Sequence, residues 1–106
     1  MTREARYDIL FDPLQIGPVT APNRFMQAPH CNGMGRLFPD SMIAMRGMKA
    51  EGGWGIVATE QCDFHPTGDV TPFTETRLWG DMDVPYLAAM TNAVQKHGGL
   101  AAIELV

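Results

Sequence analysis

Cysteine is scarce in this 106-residue chain, which has two, Cys31 and Cys62. Two thiols are too few for the disulfide framework of a small secreted domain, so they read as reduced thiols, metal ligands or covalent sites in a reducing compartment. Also missing is any run near the roughly 18 apolar residues that a membrane span requires. The opening MTREARYDIL carries charges and lacks the apolar core of a signal peptide. A cytoplasmic setting with no membrane partner is the expectation. Basic residues number 8 against 12 acidic, giving a net charge of −4 and no basic cluster, which argues against nucleic acid as a partner. Small molecules or proteins are the better candidates. Aromatics stop at 8%, and no repeat or low-complexity segment occurs. What is present is a globular composition, with 45% apolar and 19% charged residues, enough for one compact domain.

Proline and glycine punctuate the early part of the chain. In ILFDPLQIGPVTAPN, residues 9–23, four such residues exclude a helix, and Gly17 with Pro18 suits a tight turn between two very short strands. RFMQAP, 24–29, is a strand that stops at Pro29, and the glycines of NGMG make the loop that follows. PDSMIAMRGMKAEGG predicts a helix capped by Asp40 or Ser41 and ended by Gly52 and Gly53, with Met42, Met45, Met48 and Ile43 as its core-facing stripe. WGIVATE, 54–60, is a strand covered on both faces. Residues 62–81 show no period and read as a long loop of the kind that carries function. A second helix is capped by Asp83, has Pro85 in its first turn, lines one face with Leu87, Met90 and Val94, carries Lys96 and His97 in its last turn, and stops at Gly98. LAAIELV, 100–106, is a third buried strand. The repeated βα order gives an α/β fold with parallel strands. A complete barrel of such units needs about 250 residues, so the chain is expected to be part of a longer protein.

Parallel strands share one C-terminal rim, where such folds bind ligands. Ala28, Pro29, His30 and Cys31 fall at the end of the first strand, Thr59, Glu60, Gln61 and Cys62 at the second, and Glu104, Leu105 and Val106 at the third. Cys31 is either a buried filler or a thiol displayed for chemistry, with His30 beside it to help it ionise. Glu104, inside an apolar strand, needs hydrogen-bond donors to offset burial, from a ligand or from an arginine such as Arg24. His30, Cys31, Cys62 and His65 include a C-x-x-H spacing, which leaves a zinc site in a small non-enzymatic binding module as an alternative. Against it, successive strand residues point oppositely and the usual paired knuckles are missing. The GMG of residues 33–35 is too short for a dinucleotide fingerprint.

ILFDPLQIGPVTAPNRFMQAPHC, MKAEGGWGIVATE, RLWGD and HGGLAAIELV together resemble the N-terminal part of the flavin-dependent amine dehydrogenases, the trimethylamine, dimethylamine and histamine dehydrogenase group of the Old Yellow Enzyme class. The LF-x-P-x-x-IG opening followed by NR is general to the class, whereas PHC with KAEGGW is specific to the amine branch. The resemblance implies the N-terminal portion of a (β/α)8 TIM barrel, a hairpin followed by about three parallel strands and two helices, with residues 1–106 all belonging to an FMN-binding domain. It implies FMN across the rim, bonded covalently through Cys31, with Ala28, Pro29 and His30 along the ring edge. Gln61 would stand beside the flavin, and Glu104 would accept from the ring N3 hydrogen where the class usually has glutamine. The implied reaction takes a hydride from a small-molecule amine to give an iminium ion. Electrons then pass to a [4Fe-4S] cluster and an electron-carrier protein, from an enzyme that is a homodimer at full length. Catalytic, phosphate-binding and cluster residues are expected outside residues 1–106. Gln61 and Val106 would line the substrate pocket. Trimethylamine-oxidising members have tyrosine where Gln61 stands and tryptophan where Val106 stands, so the loss of both rings favours a secondary or primary amine. The runner-up is an NAD(P)H-dependent ene-reductase of the same class, without the covalent bond.

Overall fold

The computed structural model describes residues 2–68 and 75–106. Ile9 to Phe11 belong to a 3-10 turn, Ala5–Phe11, and not to the predicted hairpin, because the first ring that blocks a helical turn is Pro13. The hairpin is β1 (Leu14–Ile16) paired antiparallel with β2 (Val19–Ala21). Gly17 supplies the left-handed φ of +57° that its two-residue turn requires. β3 (Met26–Gln27) is shorter than RFMQAP suggests: it pairs only with Ile56 and Val57, and the chain then leaves the sheet towards Pro29, which has no N–H to offer a ladder.

α1 (Pro39–Glu51) starts on a proline whose missing N–H a first turn would leave unpaired anyway. Neither Asp40 nor Ser41 caps it; the residue at the cap, Phe38, makes no side-chain bond. Its buried face is Met42, Arg46, Gly47 and Ala50. The predicted methionine stripe therefore splits, with Met42 buried, Met45 half-buried and Met48 62% exposed. A spacing of three drifts around a helix of 3.6 residues per turn, whereas 42, 46 and 50 stay on one side.

β4 (Ile56–Asp63) is the central strand and is largely buried along its length. It runs past Glu60 because β5 (Thr76–Arg77), inside the stretch predicted as loop, pairs with Cys62 and Asp63. The middle of that predicted loop, 69–74, lies outside the described residues. A 3-10 turn at Asp81–Asp83 leads into α2 (Val84–Gln95), where Leu87, Met90 and Val94 are buried as predicted; Asp83 stands at the cap but makes no capping bond, because its carboxylate takes Arg77 and the N–H groups of Trp79 and Gly80 instead. Gly98, at φ +83°, turns the chain into β6 (Leu100–Leu105). β3 and β5 follow one another along one edge of β4, β6 takes the other edge, and all pairings are parallel. Ala58 pairs with Ala102 but Gln61 with Glu104, so β4 carries one extra residue in a bulge at Thr59–Glu60.

Met42, Ala50, Val57, Met90 and Val94 form the core where the two helices meet the sheet. Gly47 lets the helices close up, since a Cβ there would lie 3.3 Å from that of Ala93. β6 departs from its predicted burial. Its first half is partly covered, but Ile103, Glu104 and Leu105 are exposed, and no described strand pairs with its far edge. Among the described residues no helix is long and apolar enough to cross a membrane.

Candidate functional site

The parallel strands end at one rim. Beyond β3 the chain runs through exposed Ala28, half-buried Pro29 and exposed His30 to Cys31, whose thiol is free and exposed. β4 arrives with half-buried Gln61 and buried Cys62, and β6 with exposed Glu104 and half-buried Val106. Three of the predicted residues fall into a row: the backbone N–H of Gln61 donates to the Cys31 sulfur, and Gln61 is in register with Glu104. The Gln61 amide donates to Asp63 Oδ1 at 3.1 Å. The Glu104 N–H donates to Thr59 Oγ1 at 3.2 Å, and that of Val106 to the Cys62 carbonyl at 3.1 Å. The predicted burial of the Glu104 carboxylate is not found, nor any ion pair of it with Arg24 among the described residues. The strand's buried carboxylate is one bulge away.

That carboxylate is Glu60, fully buried with both oxygens in use. Oε2 accepts the N–H groups of Asn32 at 3.0 Å and Gly33 at 3.2 Å. Oε1 accepts the Gly35 N–H at 2.9 Å, the Thr76 N–H at 3.0 Å and the Thr76 hydroxyl at 3.1 Å. Five donors replace the water that the charge gives up. Gly35 has to be glycine, because a Cβ there would collide with Thr76 Oγ1 and Glu60 Oε1. Sequence reasoning placed Glu60 at the strand end without assigning it work. The available signal was a carboxylate inside an apolar strand together with a glycine-bearing loop, NGMG, whose N–H groups have no regular ladder to join.

Arg46 anchors the other side of Cys31. Fully buried, it donates from Nη2 to the His30 carbonyl at 3.0 Å and from Nη1 to Gln27 Oε1 at 3.2 Å. Gln27 Nε2 donates to the Ala28 carbonyl and lies 3.0 Å from His30 Nδ1, which Arg46 Nη1 also approaches at 3.4 Å. Both partners are donors, so Nδ1 accepts and the imidazole carries its hydrogen on Nε2. Burial draws the Arg46 pKa down, against the attraction of Glu60 and Cys31.

His30, expected to help the thiol ionise, has its Nδ1 engaged by Gln27 and Arg46, and other groups set the Cys31 shift. Loss of water pushes the Cys31 pKa up, the Gln61 N–H opposes this, and the Glu75 and Glu60 carboxylates add to the rise. Cys62 is pushed up to about 11, by burial first and then by Asp63, Asp83 and Glu60. Among the described residues no three His, Cys, Asp or Glu side chains gather to hold a metal ion, so the structure does not assemble His30, Cys31, Cys62 and His65 into a zinc site. Past the end of β5, Asp83 accepts from Arg77 Nε at 2.9 Å and from the N–H groups of Trp79 at 3.0 Å and Gly80 at 3.3 Å. Burial alone would raise its pKa, but these bonds hold it below the usual carboxylate value.

The parallel βα sheet thus brings an exposed thiol, an amide and an exposed carboxylate to one C-terminal rim. The NADH:flavin oxidoreductase / NADH oxidase family model matches residues 9–106, and the chain belongs to that family. Membership implies FMN as the cofactor and makes the fold a portion of the (β/α)8 barrel that its structural neighbours share. Within the family, the chain is 51% identical over 105 residues to dimethylamine dehydrogenase of Hyphomicrobium sp. (strain x), a match covering 99% of this chain and 14% of that enzyme. It is similar to the solved structure of histamine dehydrogenase from Rhizobium sp. 4-9, with a TM-score of 0.92 and 54% identity over 97% of this chain and 16% of that one. It is also similar to 6-hydroxypseudooxynicotine amine oxidase (HisD) from Pseudomonas geniculata N1, with a TM-score of 0.92 and 47% identity over 99% of this chain and 16% of that one. The chain thus spans about a seventh of the length of the dimethylamine dehydrogenase it matches.

Proposed function

We propose that residues 1–106 form the FMN-binding part of a flavin-dependent amine dehydrogenase. The observation that carries this is the row of Cys31, Gln61 and Glu104 on one rim, an exposed thiol beside an amide that is in register with an exposed carboxylate. That donor set suits FMN. Cys31 would hold the ring through its sulfur, and the Glu104 carboxylate would accept from a ring N–H. When bound, FMN supplies the acceptor for a hydride taken from the amine and releases the electrons singly.

Cys31 is the covalent attachment point. Its S–H proton and one ring-carbon hydrogen would leave as protons as the carbon–sulfur bond formed, and the electron pair would go to an external acceptor such as dioxygen. Ala28, Pro29 and His30 would lie along the ring edge, in a backbone that Arg46 holds through the His30 carbonyl. Gln61 and Val106 face the substrate. An amide in place of an aromatic ring offers a hydrogen bond to an amine N–H, so the substrate is a secondary or primary amine. A [4Fe-4S] cluster and an electron-carrier protein, both outside residues 1–106, complete the electron path in a homodimeric cytoplasmic enzyme. Identities of 51% and 54% to dimethylamine and histamine dehydrogenases support the amine branch.

Anaerobic titration of the full-length protein tests the proposal. Dimethylamine or histamine should bleach the flavin absorbance while NADPH leaves it unchanged. Bleaching by NADPH and by no amine would make the protein a nicotinamide-dependent reductase instead.

A further inference from the structure

We infer that Glu60 is a positioning residue that sets where the Cys31 thiol stands and so controls attachment of the flavin, an inference that rests on the proposed role of Cys31. The residue next to Cys31, Asn32, gives its N–H to Glu60 Oε2, and Gly33 and Gly35 give theirs to the same carboxylate. Thr76 completes the set with its N–H and its hydroxyl. One buried charge therefore ties the loop after Cys31 both to β4, where Glu60 resides, and to β5. The loop needs this. Between β3 and α1 it forms no strand or helix, and Gly33, at φ +74°, occupies a conformation that leaves the backbone free. On the other flank Arg46 holds the His30 carbonyl at 3.0 Å. Cys31 thus hangs between two buried ionic anchors, Arg46 one residue before it and Glu60 one residue after it. Forming a carbon–sulfur bond demands that the sulfur be held close to its line of attack, and charge-assisted bonds to the backbone on both sides do that without touching the ring.

Glutamine at 60 keeps the side-chain shape but replaces one acceptor oxygen by an NH2 group that faces donors. Two N–H bonds are lost whichever oxygen is replaced, those of Asn32 and Gly33 or those of Gly35 and Thr76, while the Thr76 hydroxyl can turn to accept from the new NH2 group. Valine at 76 removes the hydroxyl bond alone.

FMN is added in air-saturated buffer, where dioxygen takes the electron pair, to flavin-free full-length parent, Glu60→Gln, Thr76→Val and Cys31→Ala proteins. Non-covalent affinity is read from quenching of FMN fluorescence, and linkage from the rate at which flavin becomes acid-precipitable with the protein. Glu60→Gln should slow linkage at least about tenfold with affinity within about threefold of the parent, and Thr76→Val should slow it about two- to threefold. That split marks positioning. A purely architectural role would weaken FMN binding in proportion, and such a proportional loss overturns the inference, as does a linkage rate in Glu60→Gln within about 1.5-fold of the parent. Should Glu60→Gln fail to fold, Thr76→Val decides alone, and a linkage rate equal to the parent's overturns the inference. Failure of the underlying reading looks different: the parent links no flavin, or Cys31→Ala links as much as the parent, and the inference falls with it.

Discussion

Cys31 and Gln61 touch through the Gln61 N–H, so what each does is separable only by substitution at one while the other is watched. Replacing Gln61 with tyrosine removes an amide acceptor and adds an aromatic face. One hydrogen bond exchanged for one cation–π contact, each worth about 1 kcal/mol, should shift the kcat/KM ratio of trimethylamine to dimethylamine roughly five- to thirty-fold towards the fully methylated amine. Steady-state kinetics with those two amines and histamine checks this; ratios within about twofold of the parent would assign Gln61 to the flavin or the scaffold. Gly35→Ala is the sharpest packing test, because the added carbon meets Glu60 and Thr76 at once. It should cost about 1–3 kcal/mol, seen as a lower denaturation midpoint in the full-length protein. That Cys31 and Gln61 share one end of the sheet is legible in the sequence, although β3 stops two residues before Pro29 and β4 continues past WGIVATE to Asp63. The role of Glu60 is not. Burial is expected at Glu104 because it sits in the apolar run LAAIELV, whereas the donors that satisfy Glu60 come from a loop and from β5, which no local pattern announces.

At the scale of elements, the two helices separate what periodicity reveals from what it hides. α2 follows its apolar spacing, and Leu87, Met90 and Val94 are buried as its pattern demands. α1 buries an arginine and a glycine alongside Met42 and Ala50, and neither residue type announces itself as core. Met42→Ala should therefore cost about 2–5 kcal/mol, whereas Met48→Ala on the exposed side should cost under about 0.5 kcal/mol, both read by chemical denaturation. The start of α2 carries a pH dependence. The folded Asp83 carboxyl has a lowered pKa, so its bonds to Arg77, Trp79 and Gly80 contribute stability that is fully present above its unfolded pKa of about 4 and is lost as pH falls through the folded value. Asp83→Asn should lower stability at pH 7 and leave a shallower decline below about pH 4 in a series of thermal melts. A decline as steep as the parent's would place the acid sensitivity elsewhere.

At the scale of the whole molecule, the described residues leave many large apolar side chains exposed, and no described strand pairs with the far edge of β6. Phe11, Ile16, Trp54, Phe64 and Leu105 are among its exposed large side chains. Expressed by itself, the 106-residue chain should aggregate or lack a cooperative thermal transition, and a soluble monomer with a sharp calorimetric transition would contradict this. The parallel βα order was legible because proline, glycine and apolar runs divide the chain cleanly. The pairing of β5 with β4 was not, because two residues of strand inside an aperiodic stretch carry no period. The central claim is that the rim holds FMN through Cys31, and mass spectrometry of proteolytic peptides from the full-length protein tests it most directly. The account predicts that the peptide containing Cys31 is heavier by the mass of FMN less two hydrogen atoms and is fluorescent or coloured after acid precipitation. An unmodified Cys31 peptide, with all the flavin in the acid supernatant, would contradict it.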